Sequence, residues 1–180
     1  MKINKTFIED LLIIEPQLFK DDRGFFYESY NKKYFDEFIS VVFVQDNESK
    51  SNKGVVRGLH FQIPPFEQNK LVKCINGNIL DVTVDLRKNS KTYGKSFSIE
   101  LSSENNKQLF VPKGFAHGFQ VLSENAIVSY KVDNYYNPKS ESGIIWNDKD
   151  LSIDWNLDLK PILSVKDLKL ISFKELKSPF

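Results

Sequence analysis

The chain consists largely of short runs of β-branched and aromatic residues separated by turn signals, and this pattern limits the folds that it can adopt. The runs cover residues 11–15, 24–30, 41–45, 55–62, 71–76, 79–86, 96–101, 108–111, 118–122 and 126–135. Asn76-Gly77-Asn78 lies between two of them and predicts a hairpin, because Gly and Asn accept the positive φ of tight turns. Many short strands at this spacing are typical of a β-sandwich or a β-barrel.

Helical signals are few. Asn31 is placed to cap a short helix in which Tyr34, Phe35 and Phe38 share one face, and a second helical stretch is expected near Ser164. No internal repeat, low-complexity tract or Gly/Ser/Pro-rich linker interrupts the 180 residues. We therefore expect one domain over residues 1–180.

The charge balance excludes several classes of partner. Lys and Arg number 25 and Asp and Glu 24, so the formal net charge is +1. This charge provides no long-range field for nucleic acid or an anionic membrane, and neither partner is expected. No apolar stretch approaches the ~20 residues of a membrane span, and the first residues lack a signal-peptide core. The single cysteine, Cys74, fits a reducing compartment, so a cytoplasmic location is predicted.

Aromatic residues are unusually abundant. The chain has 15 Phe, 7 Tyr and 2 Trp, more than a small core needs. Such an excess suggests aromatic surfaces that a ligand or a partner subunit covers. We expect a homodimer.

Strand alternation predicts which side chains share a face. Within residues 79–86 the aliphatic side chains alternate with Asp81, Thr83 and Asp85, while His60 shares a face with Gln62 and Tyr130 shares one with Val128. Polar residues on an inward face would indicate a lumen that holds a polar ligand. A solvent-facing sheet explains the same alternation, and periodicity alone leaves both interpretations open.

Two histidines, His60 and His117, are the candidate proton carriers. A lone histidine in a strand is usually a satisfied polar residue. His117 follows a Pro-Lys-Gly turn that resembles the second motif of the cupins. In metal-binding cupins this histidine joins an earlier His-x-His and a glutamate, and this chain lacks the additional imidazole. No metal site is therefore predicted, although a two-histidine, one-carboxylate site built from His60 and His117 remains formally open.

An ordered set of motifs connects these fragments, although each motif is weak by itself. The set comprises Asp22-Arg23-Gly24-Phe25-Phe26, Gln45-Asp46-Asn47, Arg57-Gly58-Leu59-His60, Lys70-Leu71-Val72, Gly114-Phe115-Ala116-His117-Gly118-Phe119, Asn134-Tyr135-Tyr136 and Trp146-Asn147-Asp148. Together they resemble the dTDP-4-dehydrorhamnose 3,5-epimerase family, over about residues 11–167. The resemblance implies a mainly β jelly-roll (cupin) barrel with a few short helices, forming a homodimer. It also implies inversion of C3 and C5 of dTDP-4-dehydro-6-deoxyglucose through enolates, without cofactor or metal.

The same resemblance implies roles for individual residues. His60 would be the catalytic base, Asp167 its orienting carboxylate, Tyr130 the acid on the opposite face of the sugar, and Lys70 the cation beside the 4-keto oxygen. Tyr136 would stack on thymine and His117 would contact the pocket. The remaining substrate-binding positions would be Arg23, Glu28, Gln45, Asp46, Asn47, Arg57, Glu141 and Lys166.

Two departures from the family pattern affect the pocket. Asn69 stands where the family usually has Gly before the pocket lysine, and residues 64–67 differ from the common version of that loop. Several alternatives also remain open: a mono-epimerase acting at C3 or C5 or a 3,4-ketoisomerase on the same scaffold, a metal-dependent cupin oxygenase, and a non-catalytic carbohydrate-binding jelly roll.

Overall fold

The computed structural model describes residues 1–157 and 160–180 and contains two antiparallel sheets packed as a sandwich. The first sheet has the order β1 (Lys2–Lys5), β2 (Leu12–Glu15), β10 (Gln108–Val111), β7 (Lys70–Asn76), β12 (Asn125–Val132) and β5 (Gln45–Asn52). The second has the order β13 (Glu141–Gly143), β6 (Val56–Gln62), β11 (Phe115–Val121), β8 (Asn78–Asp85) and β9 (Ser96–Ser102). A separate hairpin consists of β3 (Phe19–Asp21) and β4 (Gly24–Phe26). The predicted mainly β jelly-roll class is confirmed.

Three apolar clusters stabilise this architecture. The largest lies between the sheets and includes Val72, Leu109 and Phe119. A second lies behind the other side of β8, where the C-terminal segment covers Val82 and Val84. A third packs the segment around the short helix against the outer side of the first sheet.

This arrangement decides between the two interpretations of the polar alternation in β8. Asp81, Thr83 and Asp85 are fully buried, so the face that they share is not solvent-facing. They lie on the same strand face as Ile79, which belongs to the cluster between the sheets. The polar residues therefore face the interior of the sandwich, and the solvent-facing interpretation was wrong.

The helical signals correspond to two short turns. Helix α1 spans Lys32–Phe35, and the Asn31 side chain accepts a hydrogen bond from the backbone N–H of Lys33 at 3.1 Å, as expected of a cap. Near Ser164 the structure forms only a single 3-10 turn, Asp167–Lys169. The Ser164 hydroxyl oxygen accepts from the backbone N–H of Asp167 at 3.0 Å.

Two local predictions were wrong. Asn76-Gly77-Asn78 is not a hairpin, because β7 and β8 on either side of it belong to different sheets. Gly77, with φ +74, instead turns the chain from one sheet to the other, and a Cβ there would lie 2.2 Å from the carbonyl oxygen of Asn125.

The strand expected at residues 41–45 was also wrong. Residues 41–44 form no strand, and β5 begins only at Gln45. The sequence of β5 is polar throughout, so hydrophobic periodicity did not reveal this strand.

None of the described helices combines the length and apolarity that a membrane crossing requires.

Candidate active site

Two adjoining cavities between the sheets gather most of the predicted site residues. The larger has a volume of about 440 Å³, and the smaller about 220 Å³. Of the predicted residues, the larger is lined by Arg57, His60, Lys70, His117, Tyr130, Lys166 and Asp167. The smaller shares His60, Lys70 and Tyr130 and adds Gln45, Asn47, Tyr136 and Glu141. The three shared side chains mark the point where the cavities meet.

The shared residues come from both walls of the sandwich. His60 lies on β6 in the second sheet, whereas Lys70 and Tyr130 lie on β7 and β12 in the first. The inner faces of packed sheets oppose each other across the core. A ligand between the sheets would therefore have His60 on one side and Tyr130 on the other.

Two glycines set the position of His60 along its strand. Strands β6 and β11 approach so closely that a Cβ on Gly58 would lie 2.6 Å from Cα of Gly118, and one on Gly118 would lie 2.5 Å from the carbonyl oxygen of Arg57. The register shifts at this point and pairs His60 directly with His117. The close approach of the two strands thus explains the glycine of the Arg-Gly-Leu-His motif.

His60 is held by a buried carboxylate. Its Nε2 lies 2.5 Å from Oδ1 of Asp167, whose side chain is 4% exposed, against 30% for the histidine. Burial alone would raise the pKa of Asp167, but the hydrogen bond and charge of His60, with hydrogen bonds from Ser164 and the Gly58 backbone, lower it. The ionised carboxylate fixes one ring nitrogen and leaves the other available for a proton.

Lys70 is a partly buried cation. Burial lowers its pKa to about 8, and the negative charges of Asp81 and Glu141 oppose that shift. The ammonium form therefore predominates at neutral pH. A lysine with this pKa is suited to stabilising an oxyanion inside a cavity.

Asn69, the departure from the family's usual Gly, supports the backbone next to Lys70. Its backbone N–H and side-chain amide donate to the two carboxylate oxygens of Asp133, each at 2.7 Å. Its amide oxygen accepts from the backbone N–H of Lys113 at 3.0 Å. Asn69 does not adopt a positive φ, so the loop does not need a glycine here.

Tyr130 is a partly buried phenol on the wall opposite His60. Burial raises its pKa, the nearby charge of Arg57 lowers it, and that of Glu141 raises it further, with a net increase. The hydroxyl group is therefore protonated at neutral pH and able to donate a proton. Tyr130 pairs with Asn47 on β5 and with Val72 on β7, which fixes its depth in the cavity.

His117 forms a second, fully internal pair. Its Nε2 lies 2.9 and 3.0 Å from the two carboxylate oxygens of Asp81. No function for Asp81 followed from the sequence, although its polar position among the alternating residues of β8 was a usable signal. Across residues 1–157 and 160–180, no three His, Cys, Asp or Glu side chains cluster closely enough to hold a metal ion.

Tyr136 stands at the mouth of the smaller cavity with its side chain 53% exposed. Its hydroxyl group donates to Oε2 of Glu141 at 2.5 Å, and this hydrogen bond raises the pKa of the phenol. Glu141 also forms an ion pair with Lys166. Burial acts to raise the pKa of Glu141, but the bonds from Lys166 and Tyr136 outweigh it and lower the pKa.

Three predicted residues line neither cavity. Arg23 lies at the tip of the β3–β4 hairpin, with its side chain 90% exposed and paired only with Asp21 among the described residues. Glu28 accepts a hydrogen bond from Asn31 at 2.9 Å. Asp46 lies on the opposite face of β5 from its neighbours Gln45 and Asn47 and forms an ion pair with Lys131 at 2.8 Å, because successive strand residues alternate faces.

Comparison with known proteins finds relatives over nearly the whole chain. A sequence profile of the dTDP-4-dehydrorhamnose 3,5-epimerase family matches residues 5–175. The dTDP-4-dehydrorhamnose 3,5-epimerase of Escherichia coli K12 is 52% identical over 178 residues, covering 98% of this chain and 96% of the relative. The crystal structure of the enzyme of that name from Elizabethkingia anophelis has a TM-score of 0.93 at 54% identity, covering 99% and 98% of the two chains.

A third similar protein was solved with a nucleotide sugar. The Legionella pneumophila dTDP-6-deoxy-D-glucose-3,5-epimerase, in complex with dTDP-4-keto-L-rhamnose, has a TM-score of 0.94 at 46% identity. The match covers 97% of this chain and 94% of that one. This chain therefore shares its fold with a protein that was solved with a dTDP-sugar bound.

Proposed function

The chain belongs to the dTDP-4-dehydrorhamnose 3,5-epimerase family, and we propose that it inverts C3 and C5 of dTDP-4-dehydro-6-deoxyglucose, giving dTDP-4-dehydro-L-rhamnose. The observation that carries this proposal is that the His60–Asp167 pair and Tyr130 lie on opposite walls of one cavity, with Lys70 where the two cavities meet. A base and an acid on opposite sides are what an inversion at carbon requires.

The chemistry follows from the position of the ketone. Carbons 3 and 5 both flank C4, so removal of either proton leaves negative charge delocalised onto the C4 oxygen as an enolate. In our proposal His60 accepts the proton on one face and Tyr130 returns one to the other face. Asp167 holds the imidazole and stabilises it when it is protonated.

Lys70 would stabilise the enolate. Its ammonium group lines both cavities beside the proposed base and acid. A preorganised donor at a developing oxyanion is typically worth roughly 10²–10³-fold in rate. Because this set supplies a base, an acid and a cation, the proposed reaction proceeds without cofactor or metal.

The nucleotide would occupy the smaller cavity and its mouth. Tyr136 offers an exposed ring for stacking on thymine, and Gln45, Asn47, Glu141 and Lys166 surround it with polar groups. In the larger cavity, Arg57 offers a guanidinium and His117 a polar side chain to the bound substrate.

A homodimer would bring in two of the residues that lie outside the cavities. The side chains of Phe19, Phe25 and Phe26 in the β3–β4 hairpin are exposed, and exposed aromatic side chains are suited to burial against a second copy. In such a dimer we propose that Arg23 and Glu28 reach the partner's nucleotide site. Asp46 lies on the outward face of β5 and is paired with Lys131, a position that does not fit direct contact with a substrate between the sheets.

The proposed function is tested by incubating the protein with dTDP-4-dehydro-6-deoxyglucose in D₂O and following the sugar by NMR. We expect deuterium at C3 and C5 and inversion at both carbons, unchanged after EDTA. Inversion at one carbon would indicate a mono-epimerase, and migration of the keto group would indicate a ketoisomerase. Activity lost in EDTA and restored by one divalent ion would contradict the metal-free mechanism.

A further inference from the structure

The cation proposed to stabilise the enolate has no anchor at its charged end. Within residues 1–157 and 160–180, the ammonium group of Lys70 forms neither an ion pair nor a hydrogen bond, and the residue lines both cavities. A lysine side chain is a flexible four-carbon stem, so the place of its charge depends on where the backbone holds its Cα. What fixes the backbone at Lys70 therefore bears on the reaction.

Lys70 lies at the last rung of two strand ladders. It is the first residue of β7 and pairs with Val111 on β10 and with Val132 on β12, and each of those strands ends at the paired residue. The next residue on the β10 side is Pro112, which has no backbone N–H to donate. Regular backbone pairing thus stops at the residue that the proposed reaction needs in a fixed place.

Hydrogen bonds of Asn69 continue the pairing one residue beyond Lys70. On the β12 side, its backbone N–H and its side-chain amide donate to the two carboxylate oxygens of Asp133, each at 2.7 Å. On the β10 side, its amide oxygen accepts from the backbone N–H of Lys113 at 3.0 Å, one residue past the proline. The ammonium group of Lys113 also forms an ion pair with Asp133 at 3.3 Å.

These bonds are strong ones because they end on a largely buried carboxylate. The side chain of Asp133 is 11% exposed. Hydrogen bonds to an ionised group are roughly twice as strong as those between neutral groups. The backbone beside Lys70 is therefore held from both neighbouring strands, by side chains where the ladders end.

The neighbouring segment that carries Tyr136 has anchors of its own. The side-chain oxygen of Gln45 accepts from the backbone N–H of Tyr136 at 3.4 Å, and the amide of Gln62 donates to the carbonyl oxygen of Tyr135 at 3.2 Å. Loss of the bonds around Asn69 should thus displace the lysine more than the ring proposed to stack on thymine.

We infer that Asn69 and Asp133 form a positioning pair that holds Lys70 beside the C4 oxygen of the bound sugar, an inference that rests on the proposed function. Neither residue belongs to the described lining of the two cavities, so the pair acts through the lysine and not on the substrate. A misplacement of about 1 Å at a reacting group can cost on the order of 10²-fold in rate.

Exchanging the two side chains tests the pair. Asn69→Asp places two carboxylates face to face, and Asp133→Asn leaves one acceptor oxygen for two donors. Each single variant should lower kcat about tenfold or more, with KM and the affinity for dTDP near their wild-type values. The double variant Asn69→Asp/Asp133→Asn restores matched donors and acceptors with the roles exchanged, so it should recover most of the lost kcat.

Removal of the lysine shows whether the pair acts through it. Lys70→Met lacks the ammonium group, so Asn69→Asp in that background should add little to the loss of deuterium exchange into dTDP-4-dehydro-6-deoxyglucose. A merely structural defect would lower the residual exchange again by the factor found with Lys70 present. Asn76→Asp makes the same substitution at the exposed other end of β7 and should leave kcat and KM unchanged.

Three results overturn the inference. The first is a kcat near the wild-type value in both single variants. The second is a double variant that regains the wild-type Tm without regaining kcat, and the third is an equal further loss in the Lys70→Met background. If wild type epimerises the sugar, any of these rejects the positioning pair alone. If wild type neither exchanges deuterium into the sugar nor inverts it, the proposed function fails and the positioning pair fails with it.

Discussion

His60 Nε2 and Asp167 Oδ1 lie 2.5 Å apart, although 107 positions separate the two residues in the chain. One residue comes from β6 and the other from the 3-10 turn near the C-terminal end. The carboxylate is buried and its pKa is lowered by its bond to the histidine, after that bond and others overcome the effect of burial. The pairing fixes the imidazole while leaving it access to the cavity.

Asp167→Asn should therefore impair the chemical step. The amide has nearly the same shape, but it neither stabilises a protonated imidazole nor enforces the same tautomer. We expect kcat to fall roughly 10²–10⁴-fold while dTDP still binds, measured by NMR turnover and by calorimetry. Asp36→Asn on the surface serves as the control. A kcat near the wild-type value would exclude Asp167 as the positioning carboxylate.

Lys70 should set the alkaline limb of activity. Its pKa is lowered to about 8, so the ammonium form needed for the enolate is lost above that pH. We expect kcat/KM to fall about tenfold per pH unit above pH 8. Lys70→Arg should keep some activity and lose this limb, because arginine stays charged. An unchanged alkaline limb in Lys70→Arg would assign the titration to another group.

The same shift has a consequence for stability. Between pH 8 and the ordinary lysine value of 10.5, the unfolded chain binds the proton more than the folded chain does. The free energy of unfolding therefore rises with pH through this window as the cost of burying the cation is relieved. Chemical denaturation of wild type and Lys70→Met at pH 7 and pH 10 measures this. Because the pKa of Lys73 is lowered as well and contributes in the same direction in both proteins, we expect a smaller rise in Lys70→Met than in wild type.

The sequence predicted much of this architecture because alternation and turn residues act locally. The face of Tyr130 and the polar face of β8 both followed from period-two alternation. Sheet membership did not follow, since β7 and β8 adjoin in sequence yet belong to different sheets, and local turn chemistry cannot distinguish a hairpin from a crossing. Strand β5 was missed because sheet pairing, not hydrophobicity, makes it a strand.

Some features of the candidate site could be predicted from the sequence, and others could not. The motifs predicted His60, Lys70, Tyr130 and Asp167, which the fold brings around one cavity. Nothing in the sequence indicated that Asn69 would bond to Asp133, because that contact depends on how β7 and β12 pair after folding. Arg23 depends on a second copy of the chain in our proposal, and one chain's sequence contains no signal for where a partner sits.

Tyr136 should govern affinity for the nucleotide. Replacing it by Ala removes the stacking ring, so KM should rise about tenfold with kcat largely intact, because the contact is made in the ground and transition states alike. Tyr136→Phe keeps the ring but loses the bond to Glu141, and it should bind more nearly like wild type. An unchanged KM in Tyr136→Ala, measured by steady-state kinetics, would remove Tyr136 from the site.

The exposed hairpin should hold a homodimer together. Light scattering at micromolar concentration should give twice the chain mass of 20.9 kDa. Replacing both Phe25 and Phe26 by Ser should shift the protein toward monomer and lower activity, because the partner's Arg23 would be withdrawn. Ile75→Ser changes an exposed apolar residue outside the hairpin and is the control. A monomeric wild type would contradict the proposed sharing of residues.

In our proposal His60 removes the proton and Tyr130 returns one to the opposite face, so proton removal and inversion can be measured separately. Tyr130→Phe retains the base and Lys70, so it should still form the enolate and wash solvent deuterium into the substrate with retained configuration. It should lose most of the epimerised product. His60→Ala should lose exchange and product together, because removal of a general base alone costs roughly 10²–10⁴-fold.

NMR of dTDP-4-dehydro-6-deoxyglucose in D₂O with wild type, Tyr130→Phe and His60→Ala is the most direct measurement of this claim. We predict exchange with inversion in wild type, exchange without inversion in Tyr130→Phe, and neither in His60→Ala. Product formation by Tyr130→Phe at the wild-type rate, or normal exchange by His60→Ala, would contradict the assigned acid and base.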